Sequence, residues 1–200
     1  MGGYTQKLYF LSISLPDALE YLILQFKKEI AARYHSVAAL KPMEHITLQV
    51  TFFYDDTYLP RLQHRLEEVF DCISPFAVEL QDFGAFPAHT IFAAIRDFFP
   101  FQQLRESLYW QLKNEITFPP SALGSRKTTP HVTIAYRDLT PEAFEEAWSE
   151  FCQRELYASF EATSAHLMEH RGKWRSVKEF PFKSKQSPKP DSLQLDLFCA

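Results

Sequence analysis

Cysteine is scarce. The chain has three, Cys72, Cys152 and Cys199, far apart and odd in number. That pattern excludes a disulfide framework and points to a reducing, cytoplasmic setting. Cys or His pairs at metal-ligand spacing are missing, which argues against structural zinc. No apolar run approaches the length needed to span a bilayer, and residues 1–6 are too short and polar for a signal peptide. The expectation is a cytoplasmic monomer without membrane contact. A basic surplus is lacking too. The formal net charge is −4, so the chain is not built to coat long nucleic acid by neutralising phosphates. A locally basic cleft for one phosphate or one RNA end is compatible with that charge.

Apolar residues, by contrast, are plentiful. They make up 46% of the 200 residues, and Phe alone occurs 19 times, enough for the core of one substantial domain or two small lobes. Residues 7–15 read as a buried strand. Asp17 and Glu20 have capping-box spacing, and Leu19, Leu22, Ile23, Phe26, Ile30 and Tyr34 follow helical spacing. A strand is expected over 44–53. A helix opens at Pro60, buries Leu62, Leu66, Val69 and Phe70, and stops at Pro75. Strands near 76–83 and 90–96 form a hairpin around Gly84 and Pro87. A third helix runs from about Pro100 through Ile116. Thr140-Pro141 reads as an N-cap followed by a first-turn proline. Two long strands, 157–169 and 173–180, meet at Arg171-Gly172. The fold class is α+β, with two pseudo-symmetric lobes. Each is a small, mostly antiparallel sheet with helices packed outside, and a cleft lies between them. Residues 1–182 form this domain, and 183–200 a flexible tail.

Two short segments carry the chemistry. His45-Ile46-Thr47-Leu48 and His131-Val132-Thr133-Ile134 are each a histidine, a β-branched residue, a threonine and an aliphatic. In a strand, residues two apart share a face at roughly 6–7 Å. Each His and Thr therefore point one way while the aliphatics point to the core. A lone histidine in a strand is ordinarily structural or exposed; it is the repetition that points to two imidazoles meeting one substrate. Imidazole gives or takes a proton near neutrality, and a threonine hydroxyl can donate to an anionic oxygen. His35, His64, His89, His166 and His170 lack a partner motif and read as surface or core. Tyr9 and Phe86 read as core aromatics, with base stacking as the alternative.

The paired motif resembles the signature of the 2H phosphoesterase superfamily, which includes bacterial 2′-5′ RNA ligase-like proteins and cyclic nucleotide phosphodiesterases. Lys7-Leu8-Tyr9-Phe10-Leu11-Ser12-Ile13-Ser14-Leu15-Pro16 is similar to the family's opening strand. Phe83-Gly84-Ala85-Phe86-Pro87 with Thr90-Ile91-Phe92-Ala93 is similar to its central hairpin. The resemblance covers roughly residues 7 to 180. It implies hydrolysis of a 2′,3′-cyclic phosphate on an RNA end or nucleotide, with 2′-5′ RNA ligation as the reverse reaction. It casts His45 and His131 as acid and base in an order left open, and Thr47 and Thr133 as the phosphate-binding pair, with neither metal nor cofactor. Many relatives carry arginine where this chain has Tyr136, with Arg137 next, which leaves the phosphate-binding cation open; Arg126 and Lys127 of the preceding loop, Tyr136 and Arg137 are the substrate-binding candidates. A noncatalytic RNA-end or nucleotide-binding module is the alternative. Near the terminus, Gln194-Leu195-Asp196-Leu197-Phe198 resembles the pentapeptide that docks bacterial replication proteins on the DNA sliding clamp. Read structurally, the same residues are an exposed end or a strand on their own domain.

Overall fold

Alternating side chains in the motif segments do become strands, and their apolar faces are buried completely: Ile46, Leu48, Val132 and Ile134 are each 0% exposed. The computed structural model describes residues 6–114, 116 and 129–184. In chain order they form β1 (Gln6–Ser14), α1 (Asp17–Tyr34), β2 (His45–Asp55), α2 (Leu59–Asp71), β3 (Phe76–Phe86), β4 (Thr90–Ile95), α3 (Phe99–Leu112), β5 (His131–Ala135), α4 (Pro141–Phe151), β6 (Tyr157–Ala162), β7 (Ser164–Arg171) and β8 (Lys173–Pro181).

The strands run in the order β6-β3-β4-β5-β2-β1-β7-β8, and every pairing is antiparallel. Two four-stranded halves, β6-β3-β4-β5 and β2-β1-β7-β8, mirror each other, each with its H-x-T strand innermost. The small sheets expected of separate lobes are joined. β2 and β5 pair directly at Ile46 and Val132, because both aliphatic faces seek the same buried layer.

The unit β-α-β-α occurs twice, as β1-α1-β2-α2 and β4-α3-β5-α4, and its first helices cross between halves. α1 follows β1 but packs against β5 and α4, while α3 follows β4 but packs against β2 and α2. Two phenylalanine clusters fix this exchange. Phe26 of α1 meets Phe83 and Phe151 at centroid distances of 5.2 and 6.2 Å. Phe76, Phe101, Phe70, Phe180 and Phe182 form the other cluster.

Local signals held unevenly. Thr140 accepts from the Ala143 amide at 3.2 Å with Pro141 in the first turn, a cap worth about 1 kcal/mol. Asp17 is not a cap. Pro16 takes that place in extended conformation, its carbonyl accepting from Leu19 and Glu20, so Asp17 and Glu20 serve as first-turn acids facing the helix dipole. The strand expected over 157–169 breaks at Thr163. Residues before the break pair with β3 and residues after it with β1 and β8, so the chain steps from one half to the other. Contacts also continue past residue 182: Ser184 donates to the Ile73 carbonyl at 3.0 Å and Lys183 pairs with Asp71.

Candidate active site

The register of β2 on β5 assembles the site. With Ile46 opposite Val132 in an antiparallel pair, His45 falls opposite Thr133 and Thr47 opposite His131. Directly opposed residues lie about 4.5–5.5 Å apart at Cβ. Each histidine therefore faces the other motif's threonine, and the four polar side chains form one square on the partly buried face. His45 and Thr133 line one small pocket together.

The two imidazoles are held in the same way. His45 Nδ1 lies 2.7 Å from the Met43 carbonyl, and His131 Nδ1 lies 2.8 Å from the Thr129 carbonyl, each two residues upstream. A carbonyl only accepts, so Nδ1 must donate in both rings. That fixes the tautomer and leaves Nε2 as the atom that titrates. Each ring also leans on a phenylalanine from the adjoining strand: Phe10 of β1 at 5.0 Å from His45, and Phe92 of β4 at 4.8 Å from His131. Gly84 makes the second contact possible. A Cβ there would stand 2.4 and 2.6 Å from two atoms of the Phe92 ring. Sequence reading put this glycine at the hairpin bend. It is instead a paired residue of β3, opposite Phe92, kept small so that the ring can lie over it.

Burial pushes both imidazoles below the ordinary value of 6.5, with the carbonyl bonds opposing. The Lys27 charge and the other histidine depress His45 further, and Glu44 counters them. Arg105 of α3 depresses His131. These cations escaped the sequence reading. Lys27 occupies the inward stripe of α1 with Ile23 and Ile30, and is 2% exposed. A lysine four residues from Ile23 and three from Ile30 was the available signal. Arg105 follows Leu104 on the α3 face bearing Phe101 and Leu108.

Tyr136 and Arg137 follow the C-terminal end of β5, five and six residues beyond His131 and three and four beyond Thr133. Arg137 is exposed, with positive φ, and its guanidinium lies 5.2 Å from the Tyr136 ring centroid. Arg126, Lys127 and the pentapeptide Gln194 to Phe198 lie outside the described residues. Tyr9 is fully buried and donates to Asp56. Phe86 is 40% exposed and meets the His131 ring edge-on at 5.2 Å. Beside His45 a second pocket is lined by Phe10, Ser12, Ser14, Met168 and Trp174. Among the described residues no group of three His, Cys, Asp or Glu side chains could hold a metal ion, Cys72 and Cys152 are free thiols, and no helix is long and apolar enough to cross a membrane.

Residues 15–174 match the model of the 2′-5′ RNA ligase superfamily. None of the curated proteins matches the chain. Among solved structures, TT0787 of Thermus thermophilus is 16% identical, with a TM-score of 0.63 over 90% of this chain and all of its own. E. coli LigT complexed with 3′-AMP is 18% identical, with a TM-score of 0.62 over 88% of this chain and 98% of its own. A structure described as a phosphoesterase is 18% identical with a TM-score of 0.59. At these identities the likeness is one of fold.

Proposed function

The chain belongs to the 2′-5′ RNA ligase superfamily, the 2H phosphoesterases of the resemblance drawn above, and from that premise we propose that it hydrolyses 2′,3′-cyclic phosphates of RNA ends or nucleotides by two-histidine acid/base catalysis. The observation carrying this reading is the matched pair of imidazoles, each with Nδ1 tied to a carbonyl and the other motif's threonine across from it. Water attacks phosphorus in line with the departing ribose oxygen. One neutral imidazole takes the water proton at Nε2. The other, as imidazolium, gives its Nε2 proton to the ribose oxygen as the phosphorus–oxygen bond breaks. The Thr47 and Thr133 hydroxyls donate to the non-bridging oxygens, where charge develops. The product is a 2′- or 3′-phosphomonoester. With the 5′-hydroxyl of a second RNA end attacking in place of water, the same groups would join the two ends, one ribose oxygen of the cyclic phosphate again departing with a proton as its bond to phosphorus breaks.

Neither proton transfer calls for a Lewis acid, so the reading includes metal independence. The test is a panel of 2′,3′-cyclic nucleotides and RNA ends, with products resolved as 2′- or 3′-phosphate and assays run before and after exhaustive chelation. Turnover that survives chelation is expected. A strict divalent-ion requirement would overturn the proton mechanism, and binding without turnover would assign the chain a noncatalytic nucleotide-binding role.

A further inference from the structure

Among the described residues, Lys27 is the only lysine or arginine that the fold buries. Its ammonium lies 3.0 Å from Glu44 Oε1 and 3.4 Å from the Pro42 carbonyl. An ammonium carries three donors, so these partners leave it capacity for one more. These contacts tie α1 to the residues just ahead of β2, but packing alone does not call for a charge. The same stripe of α1 carries Ile23 and Ile30, both fully buried, and a well-packed apolar residue often serves as well as a buried ion pair or better. What singles Lys27 out is its position. Because α1 crosses to the opposite half, Lys27 lines one pocket with His45, Thr133, Ala39, Pro42 and Met43. A buried ammonium is thus brought to the edge where one motif's histidine faces the other motif's threonine.

We propose that Lys27 is the phosphate anchor of this site, donating from α1 to a non-bridging oxygen held between His45 and Thr133. The inference rests on the reading of this face as a phosphate site, and it takes the phosphate-binding cation from the first repeat. Glu44 is the internal counterion of the ammonium while the site is empty. Burial holds Lys27 below its ordinary value, with the Glu44 and Glu20 carboxylates opposing that push. Phosphate then supplies the second negative partner.

Inorganic phosphate binding, measured by calorimetry, tests this directly. Lys27→Met keeps the length of the side chain and removes the charge, and should weaken phosphate by about tenfold or more, the scale of one lost hydrogen bond to a charged group. Glu44→Gln and the double variant Lys27→Met/Glu44→Gln control for the carboxylate left behind. The double variant should bind phosphate about tenfold more weakly than Glu44→Gln alone. It also stays informative if Lys27→Met by itself fails to fold, because it buries no unmatched charge. Equal affinity in that comparison, or wild-type protein that binds no phosphate, overturns the anchor. Cyclic nucleotide turnover, measured in parallel, keeps the two readings apart. Lys27-dependent phosphate binding without turnover would sustain the anchor and sink the hydrolase. Turnover indifferent to Lys27 would do the reverse.

Discussion

The half-site around His45 and the one around His131 agree in how they hold the ring and differ in the charges and walls farther out. Both rings bond the carbonyl two residues back, both face a threonine, and both rest on a phenylalanine of the next strand. Around His45 stand the buried Lys27–Glu44 pair and a pocket walled by Phe10, Ser12, Ser14, Met168 and Trp174. His131 lies against Phe92 and the half-exposed Phe86, with Arg105 near it. A cyclic phosphodiester is itself asymmetric, with water arriving on one side and a nucleoside on the other. The symmetric core suits the shared phosphorus, and the unlike flanks are where the two sides can be told apart.

The largest effect should come from the histidines. His45→Ala and His131→Ala should each lower kcat/KM by about 10²-fold or more, and a wild-type-like rate in either would break the equivalence of the halves. One ring must be neutral and the other protonated, so kcat/KM should trace a bell. Burial depresses both groups below 6.5, which sets the bell on the acid side of that value. Stability follows the same sign. A depressed pKa means that the folded chain binds fewer protons. The contribution is therefore full above about 6.5 and is lost as pH falls through the folded values. Thermal midpoints measured from pH 7 downward should drop less steeply in either His→Ala variant than in the wild type.

The four square residues were legible in the sequence because a two-residue period and a repeated tetrapeptide leave one arrangement open. Their register was not. Nothing in either tetrapeptide says that Ile46 pairs with Val132, yet that pairing decides that each histidine meets the other motif's threonine. The helices were legible as helices from their apolar spacing, but their exchange between halves was not, since a stripe says only that a face is buried and not what buries it. Lys27 was hidden for that reason: on its own helix it reads as an interruption, and only the crossing brings it to Thr133. The break at Thr163 had no local signal either. Glu161-Ala162-Thr163-Ser164 contains no glycine or proline, and the step between sheet halves is dictated by the partners waiting on each side.

An intermediate effect, confined to one half, is expected of Gly84→Ala. The new methyl would overlap the Phe92 ring, and a buried ring wedged between Gly84, Phe86 and His131 has little room to yield. The cost should be about 1–3 kcal/mol in stability, with kcat/KM reduced about tenfold through a displaced His131, a loss of about 1.4 kcal/mol in transition-state binding. Histidine side-chain NMR gives the sharper readout: the His131 resonances and titration should move while those of His45 stay put. Equal movement of both would mean that the square responds as one rigid unit and that the halves are not independently supported.

The smallest effect on either half should come from the C-terminal tail. Both motifs, and every strand and helix described, precede residue 185, and the last contacts described are those of Lys183 and Ser184 with the end of α2. Removal of residues 185–200 should therefore leave cyclic phosphate hydrolysis and the thermal midpoint close to wild type. The pentapeptide Gln194 to Phe198 is expected to act elsewhere, as a tethered apolar anchor for a bacterial sliding clamp. Leu197 and Phe198 should supply most of that affinity as buried side chains, so replacing both by alanine should abolish clamp binding while hydrolysis is unchanged. Calorimetry with the peptide and purified clamp, alongside activity of the truncated chain, separates the outcomes. A peptide that does not bind removes the clamp from the picture. A truncation that costs the domain several degrees of stability would mean that the tail is instead a part of its own fold, lying on one half and not the other, and would make it one more element in which the two halves differ.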